Sequence, residues 1–291
     1  MATIRTDDGV DLYYESTGDG PPILFLHEFA GDHRSWATQV AHFSARYRCI
    51  VYAARGYPPS SVPDDETAYS QQRAVLDALA VLDATHTPAA HIIGLSMGGF
   101  CALHLADQHP DRVLSLVAAS VGYGASPSRA KAFREDTART AETFLSAGST
   151  AAADLIAHGP GRITFLTHDP TGWTTFRDGL ATHSATGSAL TMLGVQMTRP
   201  SLYDLTDRWS TLPTPTLLIA GDEDDGCLEP SLMLKRSIPA AGFVVFPQTG
   251  HTLNLERLNK FNQTVDEFLT AVTQRRWLQR DARSIGARVV R

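Results

Sequence analysis

The stretch Ile92-Ile93-Gly94-Leu95-Ser96-Met97-Gly98-Gly99-Phe100 constrains this chain more than any other. An apolar run ends at a serine flanked by glycines, and small residues suited to a helix start follow at once. This is the pattern of a nucleophile elbow, where a strand turns into a helix so sharply that the serine is strained and its hydroxyl exposed. Glycine suits positions 94 and 98 because a Cβ at either would crowd the turn.

The flanking sequence supplies the strands and helices such an element needs. Residues 3–6 and 10–17 are β-rich and separated by Asp7-Asp8-Gly9, which predicts an opening hairpin. Residues 23–26 form a continuous apolar run, as expected for a strand covered on both faces. A helix is expected over 33–43, with Trp36, Val40 and Phe43 on one side, then a strand over 49–52 and a helix over 68–82. After the elbow a helix runs to Gln108 and stops ahead of Pro110, and 113–119 reads as another strand. This alternation predicts an α/β fold, a mostly parallel sheet flanked by helices.

At Gly122 the rhythm changes. Residues 130–145, 151–158, 172–183 and 188–197 read as helices with no strand-like run among them. The expected organisation is a core of residues 1–121 and 210–273, with a helical cap over 122–209 inserted after the sixth strand. Strands resume at 216–220 and 243–246, and 254–272 is a closing amphipathic helix. Residues 274–291 carry six arginines against one aspartate and read as a basic tail, either solvated or an exposed extra helix.

Composition narrows the function. A net charge of −6 disfavours nucleic acid as a partner. Cys49, Cys101 and Cys227 are too few and too scattered for a disulfide framework or a metal cluster, and are expected as free thiols. No secretory-signal pattern and no run of eighteen apolar residues occurs, so a cytoplasmic protein without a membrane partner is expected. The sequence points to a small-molecule substrate and leaves homo-oligomerisation open.

A serine hydroxyl needs a base to take its proton and a third group to orient that base. On this scaffold the order is serine, acid, histidine. Ser96, the cluster Asp222 to Asp225, and His251 occur in that order, each just past the end of a predicted strand, where ligands of open α/β sheets bind. Asp224, three residues beyond Gly221, is the chosen acid, with Asp222 and Asp225 as rivals. The oxyanion donors are expected from the amide of Met97, next after the nucleophile, and from the loop after Leu26, at Phe29.

With His27-Glu28-Phe29, Arg55-Gly56-Tyr57, Gly94 to Gly99, Gly221 to Asp224 and Gly250-His251 in this order, the chain resembles the α/β-hydrolase superfamily over residues 3–272. It is most similar to small capped members such as enol-lactonases, cofactor-free haloperoxidase-type esterases and carbon–carbon bond hydrolases. The resemblance implies an eight-stranded sheet, a helical cap and no cofactor; no metal is expected. Two positions depart from the family pattern. Glu28 stands where relatives carry glycine, and Ala53 where they carry aspartate. A carboxylate facing the site at Glu28 would oppose a developing oxyanion, so Glu28 is expected to turn away or to touch a substrate group.

The expected function is a serine hydrolase forming an acyl-enzyme on a small, partly apolar ester, lactone or amide. Phe133, Phe144, Phe165, Trp173 and Phe176 give the cap its aromatic character. Glu28, Phe29 and Trp173 are the substrate-contact candidates. Hydrolysis of a carbon–carbon bond in a diketone-like substrate, and a non-catalytic ligand receptor, remain as alternatives.

Overall fold

The computed structural model describes residues 2–286. β1 (Ala2–Arg5) and β2 (Asp11–Thr17) form the opening hairpin, and β3 (Pro22–Leu26), α1 (Ala37–Phe43), β4 (Arg48–Tyr52) and α2 (Gln71–Ala84) follow. β5 (Ala90–Leu95) leads into α3 (Met97–Gln108) and then β6 (Val113–Ala119). α4 (Ala130–Ala157), α5 (Ile163–His168), α6 (Pro170–Ala181), α7 (Ala185–Thr191) and α8 (Thr206–Ser210) fill the interval before β7 (Thr216–Gly221). α9 (Asp225–Ser237), β8 (Ala241–Phe246), α10 (Leu253–Glu256) and α11 (Leu258–Thr273) complete the order.

The eight strands make one sheet in the order β1-β2-β4-β3-β5-β6-β7-β8. Its first two pairings, β1 with β2 and β2 with β4, are antiparallel and the remainder are parallel. Alternate residues of β3 serve opposite cores. Leu24 and Leu26 pack with Val75, Leu79 and Phe100 on one face, whereas Ile23 and Phe25 pack with Trp36, Phe43 and Phe261 on the other. Burial on both faces is why these strands read as unbroken apolar runs. A third apolar cluster joins Phe29, Tyr57 and Met97 to Phe144, Phe165, Trp173 and Phe176 of the inter-strand helices.

Several helix ends differ from the pattern reading for local reasons. α2 starts at Gln71, three residues later than expected, because the Ser70 hydroxyl caps it by accepting the Arg73 amide at 3.0 Å. α4 bends at Gly148, whose φ of 80° breaks the helix between the two segments read from sequence. The basic tail is not simply solvated. Trp277 lies 4.7 Å from the Phe268 ring and donates its indole N–H to the Ala240 carbonyl at 2.8 Å, so an aromatic anchor ties residues after α11 to the edge of β8. Residues 287–291 of that tail lie outside the described residues. No described helix is long and apolar enough to cross a membrane.

Candidate active site

The elbow is built as its glycines require. Ser96 has φ 52° and ψ −111°, a strained conformation for a residue with a side chain, between the end of β5 and the first turn of α3. A Cβ at Gly94 would strike the Gly98 carbonyl oxygen, and one at Gly98 would strike the carbonyl of Leu26 at the end of β3. The second collision explains more than the turn. Gly98 lets α3 press against β3, which brings the helix start beside the loop after Leu26.

A cavity of about 340 Å³ opens at these strand ends, and Ser96, Asp224, His251, Glu28 and Phe29 all line it. His251 follows β8 and Asp224 follows β7. The His251 ring donates from Nδ1 to Asp224 Oδ2 at 2.8 Å, which leaves its Nε2 lone pair available. Both side chains are buried, Asp224 to 2% exposure. Burial pushes the Asp224 carboxyl up, but the charge and hydrogen bond of His251, a hydrogen bond from the Cys227 thiol and the charge of Arg162 together hold it below the ordinary 3.8. Asp222 and Asp225 are exposed and do not reach the imidazole; Asp222 accepts the Thr249 amide at 3.2 Å instead.

The loop carrying His251 is held from both sides. Glu256 accepts the amides of Gly250 at 2.8 Å and Thr252 at 2.9 Å, one with each carboxylate oxygen. The His251 amide donates to the carbonyl of Gly161, in the turn between α4 and α5, at 2.8 Å. The Ser96 hydroxyl makes no hydrogen bond to a described residue. The amides of Phe29 and Met97 have no acceptor among the described residues either, as expected of a loop end and a first helical position.

Glu28 neither turns away from the cavity nor stands free to meet a ligand. Arg162 donates to it from both terminal nitrogens, 3.2 Å from Nη1 to Oε1 with a closer contact from Nη2 to Oε2, and also donates to the Thr252 hydroxyl. The pair is buried on both sides, and the guanidinium lies 4.9 Å over the Phe176 ring. At Ala53 the backbone is held without an aspartate: the Ser60 hydroxyl donates to its carbonyl at 2.6 Å, and the neighbouring Ala54 amide donates to His27 Nε2 at 3.1 Å. Trp173 is a correction to the substrate-contact reading. Its ring packs inside the helical segment, donates to the Ala157 carbonyl at 2.8 Å and does not line the cavity.

Arg162, Tyr123, Cys227, Glu256 and Arg199 also stand at the site, where no sequence motif placed them. Of these, only Glu256 had a local signal, an acid four residues after Thr252 at a helix start. Asp224, Cys227 and His251 bring a carboxylate oxygen, a sulfur and a ring nitrogen within 4.8 Å of one another. Burial raises the Cys227 thiol well above its ordinary range, and His251 Nδ1 is already engaged by Asp224.

A strained serine at a strand-to-helix elbow, with an imidazole–carboxylate pair at the ends of two further parallel strands, defines a hydrolase-type site on an α/β scaffold. The chain belongs to the alpha/beta hydrolase fold family, whose profile matches residues 21–258, and it is a hydrolase. It is 27% identical to 3-oxoadipate enol-lactonase 1 of Acinetobacter baylyi over 94% of this chain and 97% of that protein. A thermophilic esterase from Thermogutta terrifontis superposes with a TM-score of 0.82 at 28% identity, covering 93% of this chain and 98% of that one. An enol-lactonase from Burkholderia xenovorans shares the fold with a TM-score of 0.80, covering 92% of this chain and 100% of its own, at 24% identity.

Proposed function

We propose that the protein hydrolyses a small, partly apolar ester or lactone through an acyl-enzyme on Ser96. His251 Nε2 takes the hydroxyl proton as Oγ attacks the carbonyl carbon, and Asp224 keeps the ring in the required tautomer and stabilises the imidazolium. The amides of Phe29 and Met97 receive the oxyanion. His251 then returns the proton to the departing alkoxide. In the second half it deprotonates water, which attacks the acyl carbon and releases the acid and Ser96. The helices between β6 and β7 act as a cap over the reacting carbonyl, and the serine–imidazole contact closes when substrate fills the cavity.

The observation that carries this reading is the 2.8 Å bond from His251 to Asp224 beside a serine held at positive φ on the same cavity. The enol-lactonase and esterase relatives support an acyl-oxygen bond as the target. Apolar lining from Phe29, Phe133, Ile156 and Met192 supports a partly apolar substrate. The test is turnover of a p-nitrophenyl ester and a vinylogous diketone side by side. Cleavage of the ester by wild type but not by Ser96→Ala is expected; cleavage of the diketone alone would move the reading to carbon–carbon bond hydrolysis.

A further inference from the structure

The charged groups around the catalytic cavity divide into partners, with one remainder. Glu28 is taken by Arg162, Asp136 by Arg139 and Asp224 by His251. Arg199 lines the same cavity and has no carboxylate partner among the described residues. Its guanidinium lies 3.6 Å from the centre of the Phe100 ring and 5.1 Å from that of Phe133, and one nitrogen donates to the Tyr123 carbonyl at 2.6 Å. One hydrogen bond leaves most of the five N–H donors of the guanidinium unused.

The cation and the nucleophile share one cavity. Phe100 stands one turn along α3 from Ser96, its amide donating to the Ser96 carbonyl at 3.0 Å. Arg199 is delivered by a π-helical turn, Met192–Gln196, whose Met192 and Gln196 line the cavity too, and its own amide donates to the Val195 carbonyl at 3.1 Å. Such turns widen a helix and recur at functional sites. Stacking on Phe100 holds the guanidinium plane while leaving its edge for a planar, two-oxygen acceptor. A guanidinium keeps its charge at neutral pH.

We propose that Arg199 is a specificity residue that binds a free carboxylate carried by the substrate on its acyl or its alcohol side, making the preferred substrate a carboxylate-bearing ester or lactone rather than a neutral one. The proposal rests on the hydrolytic reading above and names the substrate class of that site.

The test compares matched pairs: monomethyl glutarate against methyl pentanoate for a carboxylate on the acyl side, and 4-acetoxybutanoate against butyl acetate for one on the alcohol side. Wild type is expected to show a higher kcat/KM for the charged member of at least one pair. Arg199→Gln should lower that charged-to-neutral ratio on the order of 30-fold, the loss typical of one charge-assisted contact. Arg199→Lys should lower it less. Preference for the neutral member in both pairs, or a ratio that Arg199→Gln leaves unchanged, would overturn the proposal. Should Arg199→Gln fail to fold, the wild-type ratios and Arg199→Lys decide in the same way. Failure of the hydrolytic reading is separable, because glutarate binding to Ser96→Ala by calorimetry needs no turnover. Binding weakened at least tenfold by adding Arg199→Gln supports the carboxylate site even if no ester is cleaved. Binding that the change does not weaken, or no binding at all, counts against it.

Discussion

Glu28 and Arg162, 134 residues apart in the chain, form a buried ion pair that joins the loop after β3 to the turn between α4 and α5. The carboxylate that replaces the family's glycine is thereby neutralised by a cation from the helical segment, beside the amide expected to hold an oxyanion. The same turn provides the Gly161 carbonyl that holds the His251 amide. The pair therefore fixes the helical segment over two parts of the site at once.

Breaking that pair from one side leaves a buried charge without its partner. Arg162→Met is expected to lower unfolding free energy by about 3–5 kcal/mol, and Glu28→Leu combined with Arg162→Met to recover most of it. Urea unfolding of the single and double variants checks this. A loss below about 1 kcal/mol in the single variant, the range of exposed ion pairs, would mean the pair does not anchor the segment.

Asp224→Asn should reduce kcat by roughly 10⁴-fold, because the amide no longer favours the Nδ1–H tautomer of His251. Asp222→Asn and Asp225→Asn, both exposed, should stay within a few-fold of wild type. Steady-state kinetics on one ester distinguishes the three, and an equal loss in Asp225→Asn would reassign the acid.

The sheet was legible in the sequence because strands buried on both faces must be continuous apolar runs, and each of 23–26, 49–52 and 216–220 lies within one. Ser96 and His251 were legible because the elbow and the Gly-His strand end are local patterns. What escaped depends on tertiary contact. Glu28 could be flagged as anomalous, yet nothing local indicates that its partner is Arg162. Arg199 looks like any surface arginine until the fold stacks it on Phe100. Trp173 was misread because an aromatic at helical spacing serves packing between helices as readily as it serves a ligand, and its N–H found the Ala157 carbonyl.

Three buried histidines make stability sensitive to mild acid. Burial lowers the pKa of His27, His91 and His104 to about 4 each, whereas the unfolded chain binds those protons near 6.5. The unfolded state therefore gains protons first as pH falls, and stability present above pH 6.5 is lost progressively toward pH 4. The buried carboxylates with lowered pKa, Asp32 and Asp224, add their loss only below about pH 4. Thermal unfolding measured from pH 8 to pH 4 should show Tm falling mainly below 6.5, and His91→Gln should flatten the slope. A Tm constant to pH 4.5 would contradict the assignment.

The central claim is that Ser96 is the activated nucleophile, and a fluorophosphonate probe with peptide mapping by mass spectrometry tests it most directly. The predicted result is one adduct per chain on the peptide containing Ser96, formed far more slowly in His251→Ala and absent in Ser96→Ala. A folded wild-type protein that takes up no probe, or takes it up equally well in Ser96→Ala, would contradict the account.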